Sequence, residues 1–235
     1  MKKTLVIIPG WGGTAESWKD FLGLAQQDFE VHFIEMPFFG SGIIPESVWG
    51  VENYAQYVNE KISALDEPFL LGHSFGGQIA VNMAANNPEK YSKLILSGAA
   101  AIRPKYTVKR ILFGFLAKIG KMVFSLPFLA RFEKTARKVL YKTADSPDYD
   151  KTSGIKREIF QKIIRESQAD LLPKISIPTL VVWGSRDSYV PLARGKQIAK
   201  LIPSAEMKII RDGRHGLHIN DTQEFLSIIK EFLEK

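Results

Sequence analysis

Phe69-Leu70-Leu71-Gly72-His73-Ser74-Phe75-Gly76-Gly77 is the stretch on which the fold turns. An apolar run leads into a Gly-x-Ser-x-Gly pattern, and a helix-like run continues from Gly77 to Ala85, so the local reading is strand, sharp turn, helix. A serine on such a turn is held in a strained backbone conformation with its hydroxyl raised above the sheet. Gly72 and Gly76 let strand and helix pass without a clash. Glycine-flanked serines also occur in ordinary turns, but the flanking strand and helix set this one apart and predict that Ser74 is a nucleophile.

A serine hydroxyl attacks poorly at neutral pH unless a base takes its proton and an acid orients that base. The chain has four histidines. His32 lies inside the apolar run Val31 to Ile34 and reads as a core or strand-edge residue. His73 directly precedes the nucleophile and, because adjacent side chains diverge on a tight turn, reads as packing beneath it. The segment Arg211-Asp212-Gly213-Arg214-His215-Gly216-Leu217-His218 follows the apolar stretch Met207 to Ile210, which puts an exposed imidazole near the carboxyl edge of a sheet. His215 is favoured as the base, with His218 as the alternative. For the acid, Asp187 closes the β-rich stretch Thr179-Leu180-Val181-Val182-Trp183-Gly184-Ser185-Arg186. Alone it would read as a turn aspartate capping the helix that starts near Pro191. The chain order Ser, Asp, His favours the catalytic role. The other loop that could carry the acid, after Leu94 to Ser97, reads Gly98-Ala99-Ala100-Ala101 and holds no carboxylate.

With these residues in place, the chain resembles the α/β-hydrolase family over nearly its whole length. The resemblance rests on Pro9-Gly10-Trp11-Gly12-Gly13 with Trp18, on Glu35-Met36-Pro37-Phe38-Phe39-Gly40-Ser41-Gly42, on the Ser74 turn, on Ile177-Pro178-Thr179 through Asp187, and on the His215 segment. The chain is similar to small esterases that carry a helical cap before the acid-bearing strand. The resemblance implies a Ser74, His215, Asp187 triad working through an acyl-enzyme. It also implies an oxyanion hole built from the backbone N–H groups of Trp11 and Phe75. Many members have His-Gly where this chain has Pro9-Gly10; proline has no N–H, but the donor lies two positions later. Taken apart from the family, Pro9 to Gly13 is a glycine-rich turn, and without a following G-K-[ST] it is not a phosphate cradle. Related dehalogenases and epoxide hydrolases carry aspartate at the turn, so Ser74 argues against both.

Six short apolar runs, Leu5 to Ile8, Val31 to Ile34, Phe69 to Leu71, Leu94 to Ser97, Leu180 to Trp183 and Met207 to Ile210, alternate with helical stretches at Val51 to Leu65, Gly77 to Asn86, Ala193 to Leu201 and Gln223 to Leu233. Such alternation predicts a parallel sheet covered on both faces. The family pattern gives the order 2-1-3-4-5-6. Because the first run opens the chain, the antiparallel strands that commonly begin the family fold are expected to be missing, leaving a trimmed six-stranded sheet. The expected organisation is a core of residues 1–102 and 171–235 with a helical cap at 103–170.

At 235 residues and 45% hydrophobic, the chain can bury a core of this size. Having no cysteine, it excludes disulfides, thiolate metal sites and cysteine nucleophiles. The run Thr4 to Ile8 stops at Pro9-Gly10, too soon for a secretion signal, and no apolar run approaches the roughly 20 residues of a membrane span. A cytoplasmic protein is expected. No cofactor is implied, and no metal, since the histidines and carboxylates lack ligand spacing.

Charge is uneven. Residues 103–170 hold 16 Lys and Arg against 7 Asp and Glu, or +9, in a chain of +7, which leaves 7 minus 9, or −2, elsewhere. Apolar residues such as Phe113, Phe115, Leu116, Ile119, Phe124 and Phe128 are interleaved there with Lys109, Arg110, Lys118, Lys121 and Arg131. Two helices broken near Pro127 would each present an apolar face. The plain reading is a lid with a solvated basic side, walling an apolar pocket above Ser74; the sharper one adds weak association with anionic lipid surfaces. Nucleic acid is not expected, in the absence of a recognition motif. The function expected is hydrolysis of carboxylic esters of small or medium acyl compounds. A lactonase, thioesterase, acyltransferase or carbon–carbon bond hydrolase on the same triad, and a binding module with little turnover, are the alternatives.

Overall fold

The computed structural model describes residues 2–103 and 152–235. Residues 104–151 of the expected cap, with the basic and apolar side chains named above and the pocket they were expected to wall, lie outside the described residues. The chain divides into two compact units, one of residues 1–103 and 161–235 and the other of 104–160.

The strands of the first unit are β1 (Thr4–Ile8), β2 (Glu30–Phe33), β3 (Phe69–His73), β4 (Lys93–Ser97), β5 (Thr179–Gly184) and β6 (Ala205–Ile210). They form one sheet in the order β2-β1-β3-β4-β5-β6, with every neighbouring pair parallel. The order is the one the family resemblance implies, and the parallel strands follow from sequence runs that are apolar without alternation. A strand covered on both faces has no water-facing side on which to place polar residues. The edge strands are the exceptions. β2 and β6 are only partly buried and carry Glu30, His32, Glu206 and Lys208, charges and imidazole that discourage pairing with another chain.

The α-helices among the described residues are α1 (Lys19–Ala25), α2 (Val51–Lys61), α3 (Phe75–Asn86), α4 (Gly154–Ile163), α5 (Leu192–Leu201), α6 (Leu217–Asn220) and α7 (Thr222–Glu234). On one face Leu5, Ile7, Leu71, Ile95, Leu180 and Val182 meet Phe21 of α1 and Phe225, Ile229 and Phe232 of α7. The alternate residues Val6, Ile8, Leu70, Leu94, Leu96, Val181 and Trp183 are equally buried and point the other way, toward the side on which α3 and α5 pack against the strands. Each large side chain withdrawn from water in this way contributes about 1.5–3 kcal/mol. The α1 helix was not anticipated: seven residues interrupted by Gly23 give little periodicity, and its register is set by Phe21 packing on Phe225.

Residues 161–170 belong to the first unit. Glu166 Oε2 accepts the N–H of Val51 at 2.7 Å, placing a carboxylate on the first turn of α2. Gln78 of α3 donates from Nε2 to the carbonyls of Glu166, at 2.7 Å, and Ile163, at 3.3 Å. The N–H of Gln168 reaches the carbonyl of Ala101 at 2.8 Å. These bonds tie the return of the chain to the helices that flank Ser74.

Candidate active site

Ser74 follows β3 directly and has φ 53°, in a region that L-residues rarely occupy. Its backbone is held from both sides: its N–H donates to Ser97 O at 3.0 Å and its carbonyl accepts from Ala100 N at 2.9 Å. The turn requires glycine at Gly76, where a Cβ would come within 2.0 Å of the Ile8 carbonyl oxygen, and at Gly72, where it would lie 2.7 Å from Ala80 Cβ. The first turn of α3 is thus pressed against the end of β1, and the serine is left at the carboxyl edge of the sheet.

Asp187 and His215 are brought together at that same edge by the loops after β5 and β6. Asp187 Oδ2 accepts from His215 Nδ1 at 2.7 Å, and the two side chains are 1% and 17% exposed, so little water competes for the bond. Asp187 Oδ1 accepts from the N–H groups of Tyr189, at 2.9 Å, and Val190, at 2.8 Å. Both oxygens are therefore engaged, which fixes the carboxylate plane and leaves Nε2 as the outward nitrogen of His215. Oδ1 closes the turn at Tyr189 and Val190 but does not cap the helix that begins at Leu192, while Oδ2 orients the histidine.

The alanine-rich loop after β4 has a positive function that its lack of carboxylate concealed. At Gly98, with φ +53°, a Cβ would stand 3.1 Å from both Cε1 and Nδ1 of His215 and 3.3 Å from Asp187 Oδ2. A side chain there would crowd the pair and adopt a φ that L-residues rarely take.

The other histidines lie beneath the site or away from it. His73 is buried, bonded through Nδ1 to Ser97 O at 3.0 Å, with its ring centroid 4.8 Å from that of His215. That bond places a proton on Nδ1 in the neutral ring. Burial, with smaller contributions from His215 and His218, holds the His73 pKa well below the usual imidazole value despite the Ser97 bond. His218, the alternative base, stacks on Trp18 at 3.7 Å and 9° and meets His73 at 4.8 Å. Burial, reinforced by His215, pushes its pKa down to about 3, and its Nδ1 is enclosed without a hydrogen-bond partner. His32 is on the edge strand β2, beside Glu30.

Trp11 follows β1, and its ring packs edge-on against Phe39 at 5.0 Å and Phe75 at 5.9 Å, so the two residues expected to donate N–H groups meet through their rings. The Pro9-Gly10 loop is braced by its own backbone, with Gly13 N bonded to Gly10 O at 3.0 Å, and by a reciprocal pair in which Thr14 N donates to Ser17 Oγ and Ser17 N to Thr14 Oγ1. Among the described residues, no cluster of three or more His, Asp or Glu is placed to hold a metal ion. No helix among them is long and apolar enough to cross a membrane.

A serine on a strained strand-to-helix turn, with a carboxylate and an imidazole on later loops of the same parallel sheet, defines a class of hydrolase folds. The profile described as alpha/beta hydrolase fold matches residues 3–222, and the chain belongs to that family. It is 24% identical over 249 residues to a pimeloyl-[acyl-carrier protein] methyl ester esterase of Vibrio atlanticus, covering 98% of this chain and 94% of the relative. It is also 24% identical over 255 residues to a 2-hydroxy-6-oxononadienedioate/2-hydroxy-6-oxononatrienedioate hydrolase of Klebsiella pneumoniae, covering 100% and 88%. An esterase structure from Exiguobacterium antarcticum superposes with a TM-score of 0.75 at 19% identity, covering 99% of this chain and 92% of the other.

Proposed function

We propose that this chain is a serine hydrolase that cleaves carboxylic esters of small or medium acyl compounds through an acyl-enzyme. The observation that carries the reading is the Asp187 Oδ2 to His215 Nδ1 bond at the sheet edge where Ser74 is presented with φ 53°. Ser74 Oγ attacks the ester carbonyl carbon and its proton passes to Nε2 of His215, which then gives it to the leaving alcohol as the carbon–oxygen bond breaks. Water repeats the sequence on the acyl-enzyme and releases the acid. The N–H groups of Trp11 and Phe75 serve as oxyanion donors, an assignment supported by their position on the loop after β1 and at the start of α3. The curated relatives named above include methyl ester esterases, which favours an ester with a small alcohol.

Residues 104–160 form the cap in this reading, and their excess of Lys and Arg draws it weakly to anionic surfaces in the cytoplasm. Sedimentation with anionic vesicles at low and high salt tests that part; no binding at low salt leaves a lid alone. The central test is hydrolysis of p-nitrophenyl esters of graded acyl length by wild type and Ser74→Ala, beside labelling with a fluorophosphonate. Loss of both signals in Ser74→Ala is expected. Equal hydrolysis by the two proteins would overturn the Ser74 assignment, and an unlabelled, inactive wild type would favour a binding module.

A further inference from the structure

Tyr189 is unused by the chemistry described so far, yet its ring lies against that of the base. Its ring stacks on His215 with centroids 5.1 Å apart and planes 26° from parallel, and the residue is 61% exposed. A large apolar ring left this open gives up burial, and nothing in the core requires it. Its backbone is anchored all the same: the N–H donates to Asp187 Oδ1 at 2.9 Å, and the next carbonyl, Val190 O, accepts from Trp183 Nε1 at 2.8 Å. The carboxylate that orients His215 therefore also sets where the Tyr189 side chain begins. Elsewhere the His215 ring is bordered by His73 and by Gly98, both pressed close.

We propose that Tyr189 is a specificity-determining residue for the alcohol half of the ester, acting as an open aromatic platform beside the leaving group. The proposal rests on the serine hydrolase reading above. In acylation the Ser74 Oγ to carbonyl carbon bond forms, the carbon to alcohol oxygen bond breaks, and the proton taken from Ser74 goes from His215 to that oxygen. The leaving oxygen must therefore approach the His215 ring, and whatever flanks that ring meets the group attached to the oxygen. In this proposal a flat alcohol such as benzyl lies along the tyrosine ring, whereas methyl has no ring to stack on it. The acyl half remains on Ser74 and is the same in any pair of esters of one acid.

The test uses esters of one acid, methyl and benzyl butanoate, with wild type, Tyr189→Ala and Tyr189→Phe. The ratio kcat/KM reads acylation, while the acyl-enzyme, and hence deacylation, is the same for both esters. Tyr189→Ala is expected to lower kcat/KM for the benzyl ester about tenfold and for the methyl ester less than about twofold, the size of one aromatic contact. Tyr189→Phe, which keeps the ring, is expected to stay within about twofold of wild type on both. Equal losses on both esters would mean that the ring only props His215, and no loss on either would mean that it is idle; each overturns the proposal. Wild type that cleaves neither ester and resists fluorophosphonate would instead be a failure of the hydrolase reading, which keeps the two outcomes apart.

Discussion

Asp187 accepts the Nδ1 proton of His215 at 2.7 Å with a carboxylate whose side chain is only 1% exposed, and this bond dictates which tautomer the imidazole adopts. Asp187→Asn can still accept the Tyr189 and Val190 N–H groups through Oδ1. Its Nδ2 then faces His215 as a donor, which drives the proton to Nε2 and leaves no lone pair for Ser74. Turnover is expected to fall by about 10³ to 10⁴-fold, with unfolding free energy changed by about 1 kcal/mol or less. Steady-state kinetics and urea unfolding on the same samples check both halves; near-normal turnover would remove Asp187 from the mechanism.

Two glycines separate a positional requirement from a dispensable one. Gly98→Ala places a methyl 3.1 Å from His215 at a φ of +53°, so activity should drop by at least about tenfold, one order for each 1.4 kcal/mol lost in the transition state. Gly23 lies on the exposed side of α1 with nothing within 4 Å of a Cβ. Gly23→Ala should stabilise the protein by about 0.5–1 kcal/mol, raising Tm by about 1–4 °C without altering activity. Thermal melts and ester assays of both variants decide.

Acid should loosen this fold below the range in which free histidine titrates. His73 and His218 are buried neutral, with pKa values lowered by burial, that of His218 to about 3. Between that value and about 6.5 the unfolded chain binds a proton at position 218 and the folded chain does not, so stability falls as pH falls through the window, and the lowered His73 acts with the same sign. For His218 the cost at pH 5 relative to pH 8 is about 2 kcal/mol, and His73 adds to it in the same direction. His218→Phe keeps a ring on Trp18 and removes one titrating group, so its stability should decline less between pH 8 and pH 5 than that of wild type. Parallel slopes for the two proteins, measured by denaturant unfolding, would contradict a neutral His218.

The contact of Glu166 with the start of α2 is a capping interaction from 115 residues away. Glu166→Ala should cost about 1 kcal/mol, typical of a lost helix N-terminal acceptor with favourable charge. Glu166→Gln, which keeps an oxygen but no charge, should recover about half of that. Denaturation midpoints of the two variants provide the comparison; equal loss in both would assign the effect to charge alone.

The strands and the turn at Ser74 were legible because each depends on short-range pattern, whereas the strand order came from the family resemblance. Strands buried on both faces must be apolar throughout, as at Leu5 to Ile8 and Leu180 to Trp183, and a turn that crowds its neighbours must carry glycine, as at Gly72 and Gly76. Chain order also sufficed to nominate Asp187 and His215, since each follows a strand that ends at one sheet edge. What surrounds those residues was decided only in three dimensions. His218 stands on Trp18 across 200 positions of chain, and Gly98 seats a pair that belongs to two other loops. Tyr189 is two residues from Asp187 in sequence, but its place on the His215 ring depends on where the loop after β6 arrives. Periodicity records which face of an element is dry. It carries no record of which loops meet above the sheet, because that depends on packing between elements remote in the chain.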